Sequence, residues 1–174
     1  SRRRHTRFRN VTGVQTCALP ISNGLVSEAI REGKIAELAG YASLRREVKY
    51  GKNSRIDILL EDPKRPACYV EIKNVTMRRG NKPTDPAEFP DAVTTRGAKH
   101  LVELTDMVKA GHRAVMVYLV QRTDSPSFTV AADIDPAYAK GLKAAMAKGV
   151  EVLVYGCKVT SEGVEVHKPL PLAL

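Results

Sequence analysis

The sequence predicts an α/β fold in which a mixed central sheet is flanked by helices. Two observations carry this prediction. Residues 54–60 and 67–73 alternate in character around the polar stretch 61–66, whose two prolines and Asp62 mark a turn, so they read as an antiparallel hairpin. Residues 114–159 then run apolar strand, Ala-rich helix, strand, which is the order of a parallel pair joined by a crossover helix.

Each element follows in chain order. Residues 23–38 have helical periodicity through Leu25, Ala29, Ile35 and Leu38, with Gly33 as a break and Gly40 as a stop. Residues 44–50 read as a first strand, and the two hairpin strands follow. Residues 77–88, with Gly80, Pro83 and Pro86, read as a mobile polar loop. Asp91 is placed to cap a helix reaching Ala110, with Ala98, Leu101, Leu104 and Val108 as its apolar stripe. Residues 114–120 form an apolar strand, 136–148 a helix with proline at its start, 150–159 a further strand and 163–167 a short edge strand.

Composition bounds the function. The first 22 residues stand apart: residues 1–7 and 11–22 resemble the conceptual translation of a short-read sequencing adapter, with the index at Phe8, Arg9 and Asn10. This segment is expected to be non-native and disordered, and residues 23–174 to form one domain with its own core. The net charge of +9 includes five arginines and no acids from residues 1–22, which leaves +4 for the remainder. Residues 45–100 hold 13 basic and 8 acidic side chains, so the positive field is centred on the hairpin and suits a polyanionic partner. No segment is apolar enough to span a membrane. Cys68 and Cys157 lack metal-ligand spacing and read as buried thiols in a protein of the reducing cytoplasm.

The hairpin carries the chemistry. If it is symmetric about Lys64, Asp57 lies opposite Glu71, and the strand period of two puts Arg55, Asp57, Glu71 and Lys73 on one face. Ile56, Ile58, Leu60, Val70 and Ile72 then fill the other. Two facing carboxylates repel unless a cation or proton lies between them. Mg²⁺ suits the position, because it binds through one or two carboxylates and completes its shell with water and phosphate oxygens. Lys73 would position an attacking water or neutralise the transition state. The same pattern also fits the wet face of an ordinary half-buried hairpin, whose cross-strand pairs are worth fractions of a kcal/mol.

Residues 23–174 resemble the carboxy-terminal domain of the sugar fermentation stimulation protein A (SfsA) family of bacteria. The resemblance rests on Gly40-Tyr41-Ala42-Ser43-Leu44, Arg46 to Gly51, Ser54-Arg55-Ile56-Asp57, Tyr69-Val70-Glu71-Ile72-Lys73-Asn74-Val75-Thr76 and Phe89 to Leu101. It implies a PD-(D/E)XK restriction-endonuclease-like domain, associated with DNA binding and the regulation of sugar metabolism, that in the family follows an OB-like domain not found in this sequence. By the same resemblance Asp57 and Glu71 are the metal-binding acids, Lys73 is the motif lysine, and Glu28 matches the helical glutamate of many nuclease-like proteins. Ile56 stands where the wider group often has proline.

DNA contacts are expected from Arg55, from Arg78 and Arg79 in the polar loop, and from Arg96, Lys99 and His100, which fall within one helical turn near a helix start. A solvated helix with paired arginines is the plain alternative. His100 as a general base has no acidic partner at a diagnostic spacing, and His112 and His167 have no constellation around them. With 3 Phe, 6 Tyr and no Trp, base stacking is not conspicuous, and contacts are expected mainly to the phosphate backbone. Two functions follow: a DNA-binding protein of this scaffold that need not cut, and an active Mg²⁺-dependent nuclease. The oligomeric state is not legible.

Overall fold

The computed structural model describes residues 18–51 and 54–173. A six-stranded sheet runs in the order β1 (Ser43–Tyr50), β2 (Ser54–Asp62), β3 (Arg65–Val75), β5 (Arg113–Val120), β7 (Glu151–Val159) and β8 (Val164–Pro169). Strands β1 to β3 pair antiparallel, β3, β5 and β7 pair parallel, and β8 closes the edge antiparallel to β7. The mixed sheet expected from the hairpin and the crossover is therefore the architecture found.

Helices α2 (Thr95–Lys109) and α3 (Pro136–Ala147) make the β3–β5 and β5–β7 crossovers. The strands advance in one direction across the sheet, so right-handed crossovers bring both helices to the same face. There Leu101, Leu104, Tyr138 and Leu142 pack with Leu59, Met116 and Tyr118. Helix α1 (Ala18–Arg31) covers the opposite face, where Leu25, Val26, Ala29 and Ile30 meet Ile58, Val70, Ile72 and Val117. With both faces covered, β5 is buried from Ala114 to Val120, which is why its sequence is an unbroken apolar run.

Helix α1 begins at Ala18, inside the segment assigned to the adapter-like leader. Ser22 and Asn23 are buried, and Ser22 Oγ accepts a hydrogen bond from Gln121 Nε2 at 2.9 Å. The expected boundary at Asn23 thus falls within a helix; residues 1–17 lie outside the described residues. After Gly33, at φ +72°, the chain continues as a single 3-10 turn, Ala36–Leu38.

Helix α2 starts later than expected, because Thr94 rather than Asp91 is its cap: Thr94 Oγ1 accepts from Gly97 N at 3.0 Å. Asp135 caps α3 through Tyr138 N at 2.8 Å and also accepts from Thr94 N at 2.8 Å, so one buried carboxylate ties the starts of both crossover helices. Those two amide donors hold the Asp135 carboxyl below its usual range. Asp135→Ala leaves both amides without this acceptor and is expected to cost about 2 kcal/mol, read as a lower midpoint in urea unfolding at unchanged slope.

A second sheet, β4 (Ala87–Phe89), β6 (Phe128–Val130) and β9 (Leu172–Ala173), was not anticipated. Its strands are two or three residues long and show no legible alternation. What anchors it is aromatic packing: Phe128 stacks on Tyr118 at 4.4 Å between ring centroids, and Phe89 meets Tyr118 and Tyr138. The polar loop expected to be mobile is correspondingly tied down, with Met77 bridged to Glu88.

Candidate active site

The hairpin has the register that places the two acids together. Ile58 pairs with Val70, Leu59 with Tyr69 and Leu60 with Cys68, so the next residues along are Asp57 and Glu71. Near the tip, however, Asp62 pairs with Arg65, one residue out of that register, and an irregularity between Leu60 and Asp62 absorbs the difference. Carried inward without it, the tip pairing would set Asp57 against Val70, and a slip of one residue reverses the faces. The bulge is thus what lets the two carboxylates meet.

Beyond Ile58 the two strands part, and the Asp57 side chain bridges the gap. Its Oδ2 accepts from Ile72 N at 2.7 Å and its Oδ1 from Asn23 Nδ2 of α1 at 2.8 Å. Asn23 Nδ2 also donates to Glu47 Oε1 at 3.0 Å. Glu47 lies across β1–β2 from Asp57, at the position skipped between the Arg46–Ile58 and Val48–Ile56 pairs, and its φ is +54°. A glutamate there costs on the order of 1–2 kcal/mol of backbone strain. One face assignment is corrected by this distortion. Ile56 packs with Tyr50 and Leu59 on the α2 side, whereas Ile58, Leu60, Val70 and Ile72 face α1. The alternation breaks at Asp57, so Ile56 and Ile58 do not share a face, and Arg55 is exposed.

Glu71 is 2% exposed and is held from two sides. Its Oε1 accepts from Lys73 Nζ at 2.9 Å and contacts Nδ1 of His100, a buried residue of α2. Arg96 Nε approaches the other ring nitrogen of His100 at 3.4 Å. Burial pushes the Glu71 carboxyl up, but the His100 contact and the Lys73 charge outweigh it, and the net shift is downward. Asp57 moves the other way. Burial first, then the Glu71 charge, raise it to about 6 against the opposing pull of Ile72 N–H, Asn23 and Lys73. The pair therefore has one acid kept ionised by its His100 contact and the Lys73 charge and a neighbour that resists ionisation.

The donor set fits a divalent cation. Glu71 Oε2 is buried and lacks a hydrogen-bond partner among the described residues, as does Asn23 Oδ1. Both are acceptors, and a cation beside Asp57 would satisfy them and remove the repulsion that raises Asp57. No cluster of three or more His, Cys, Asp or Glu suited to a metal exists among the described residues. A cation here would have Asp57 and Glu71 as its protein carboxylates and draw its other ligands from water and phosphate, the mode Mg²⁺ favours.

Several expected site residues are placed elsewhere. Asn23, not Glu28, is the α1 side chain bonded to Asp57; five residues on, Glu28 is turned about 140° around the helix from Asn23. Arg78 is occupied by Asp124 at 2.8 Å and by Lys82 O, and Arg79 by Glu88 and Asp133, so neither loop arginine presents a free guanidinium. Lys99 Nζ donates to Ser54 Oγ at 3.1 Å and lies 3.5 Å from Glu103. Arg55, Arg96 and Lys99 are exposed, while His100 turns inward to Glu71. The sequence reading missed Asn23, Glu47 and the His100–Glu71 contact. The last supplies the acidic partner that His100 lacked by spacing, and only its position one turn into a helix after the third strand hinted at it.

The sugar fermentation stimulation protein RE domain matches residues 20–163. The chain belongs to the sugar fermentation stimulation protein family. A homolog from Rhodospirillum rubrum is 65% identical over 158 residues, a match covering 86% of this chain and 64% of the relative. One from Rhodospirillum centenum is 60% identical over 157 residues, covering 90% of this chain and 66% of its own length. The chain thus spans just under two thirds of these SfsA relatives. The structure of Pyrococcus furiosus SfsA in complex with Ca²⁺ superposes with a TM-score of 0.79 at 28% identity, over 89% of this chain and 65% of that one. The nuclease-like α/β arrangement is thereby that of the SfsA family.

Proposed function

We propose that this SfsA domain binds DNA through the phosphate backbone and hydrolyses phosphodiester bonds with a divalent cation, Mg²⁺ by preference, held by Asp57 and Glu71. The observation that carries the reading is the buried Glu71 Oε2 beside Asp57, without a hydrogen-bond partner among the described residues, with Lys73 on the same carboxylate. That a Pyrococcus furiosus relative is known in complex with Ca²⁺ supports a cation in this family.

When bound, the cation would polarise the scissile phosphate and lower the pKa of a coordinated water. The chain's own residues do the rest. Asn23 and Ile72 N–H fix both oxygens of Asp57, so its carboxylate is oriented before substrate arrives. His100 holds Glu71 Oε1 and leaves Oε2 for ligation. Lys73, 12% exposed in its side chain, places an ammonium where a water can be aligned and phosphorane charge neutralised. Exposed Arg55, Arg96 and Lys99 supply the backbone attraction expected of nonspecific binding.

A second reading, DNA binding without cleavage in the regulation of sugar metabolism, is favoured by those exposed cations and needs no metal. The two separate in one experiment. The chain is incubated with single- and double-stranded DNA at low salt with Mg²⁺, Mn²⁺ or EDTA, following both retention and cleavage. Cleavage that disappears in EDTA and in Asp57→Ala supports the nuclease. Salt-sensitive retention of intact DNA, indifferent to metal, supports the binder and sinks the nuclease. Neither retention nor cleavage defeats both.

A further inference from the structure

At the far edge of the sheet from β1, a cavity of about 380 Å³ is lined by Arg122, Ser125, Cys157, Lys158, His167 and Lys168 among others. It opens where the loop after β5 meets the C-terminal half of β7, and the C-terminal ends of parallel strands are where open α/β sheets usually bind ligands. The volume is in the range of small-molecule sites. A bulge between Gly156 and Cys157 in the β7–β8 pairing re-aims the side chains that follow.

The lining is cationic. Neither Lys158 nor Lys168 forms an ion pair among the described residues. Glu165 lies opposite Lys158 across β7–β8 and feels its charge and that of His167, but its ion pair is with Lys34 at 3.0 Å; Asp124 is held by two guanidiniums, Arg122 at 2.7 Å and Arg78 at 2.8 Å. Two arginines on one carboxylate leave a residual positive charge at the mouth. Inside, Ser125 is 6% exposed, and its Oγ is buried without a hydrogen-bond partner among the described residues. A hydroxyl left unpaired in a cavity with surplus cations is the pattern of a site whose missing member is an acceptor-rich anion.

We propose that this cavity is a second ligand site of the domain, which takes a small phosphorylated molecule, with Ser125 Oγ donating to a phosphate oxygen and Lys158 and Lys168 neutralising its charge. The site does not involve the Asp57–Glu71 centre and stands whether or not that centre cleaves DNA. Phosphate esters are favoured over carboxylates because a lining with two lysines, an arginine and a hydroxyl matches three acceptor oxygens. The neutral Cys157 thiol, raised to about 12 by burial, forms an uncharged wall.

The test is calorimetric titration of the whole chain with inorganic phosphate and with glycerol phosphate, at ionic strength held constant with chloride. Saturable binding is expected, weakened at least tenfold in the double variant Lys158→Ala, Lys168→Ala and three- to tenfold in Ser125→Ala. Both lysines are exposed, so the double variant is expected to unfold at the wild-type midpoint, which circular dichroism checks. Affinity unchanged in the lysine variant, or lost instead in Asp57→Ala, overturns the proposal by placing phosphate elsewhere. A 5′-phosphorylated oligonucleotide serves as the third arm. If it binds in a Lys158- and Lys168-dependent way while glycerol phosphate does not bind at all, the small-molecule assignment is overturned in favour of a nucleic-acid phosphate.

Discussion

Lys73→Ala is expected to lower metal-dependent DNA cleavage about 10²–10³-fold while cation affinity changes only a few-fold. The ammonium lies 2.9 Å from Glu71 Oε1, whereas the proposed ligand atom is Oε2, so the lysine would act beside a bound cation and not as one of its ligands. Removing it leaves Glu71 with His100 as its remaining partner in a buried setting. A stability loss of about 1–3 kcal/mol therefore accompanies the variant, less than for an acid stranded with no partner at all. Lys73→Met keeps most of the packing volume without the charge. If Met and Ala variants lose cleavage equally at temperatures well below their unfolding midpoints, the loss is electrostatic. A Met variant that cleaves at the wild-type rate would remove Lys73 from the chemistry.

The second large effect is on stability and follows from Asp57. Its carboxyl is raised to about 6 in the folded protein by burial and by Glu71, so the folded state binds a proton there more tightly than the unfolded chain does. The stabilisation is fully present below the ordinary carboxylate pKa and is lost as pH rises through about 6, amounting to roughly 2–3 kcal/mol across that window. Without divalent cation, stability from this group is thus expected to fall between about pH 4 and pH 7. Millimolar Mg²⁺ or Ca²⁺ at pH 7.5 is expected to recover it, because a cation between the acids replaces the proton. Asp57→Asn abolishes both the pH-dependent loss and the cation-induced rise in midpoint. Unfolding curves at several pH values, with cation or with EDTA, check this; a cation shift that persists in Asp57→Asn would place the metal elsewhere.

Asn23 ties these outcomes to the helix that precedes the sheet. A single amide donates to both Glu47 and Asp57, across 24 and 34 residues of sequence. The strained φ of Glu47 is tolerated where this bridge and the β1–β2 ladder on either side fix the residue. Strain, a half-buried acid of raised pKa and acceptors without partners among the described residues coincide at one point in the fold, and such coincidences mark functional sites more often than structural ones.

Much of this was legible in the sequence because it depends on local periodicity. The alternation of residues 54–60 and 67–73 and the proline-bounded turn determine the hairpin that carries Asp57, Glu71 and Lys73, while the irregularity between Leu60 and Asp62 sets the register at which the two acids meet. Unbroken apolar character determines that β5 is central, and the Ala-rich stretch after Asp135 determines a crossover helix. Tertiary structure alone decided which side chains complete the site. Strand period gives the face a residue points to, but not which helix lies across that face or at what height. Packing therefore chose Asn23 over Glu28, turned His100 from a DNA contact into the partner of Glu71, and paired Arg78 and Arg79 with acids 9 to 54 residues away. The two- and three-residue strands of the second sheet belong with these. They are too short for any pattern, and they exist because Phe89 and Phe128 find Tyr118 and Tyr138 in the core.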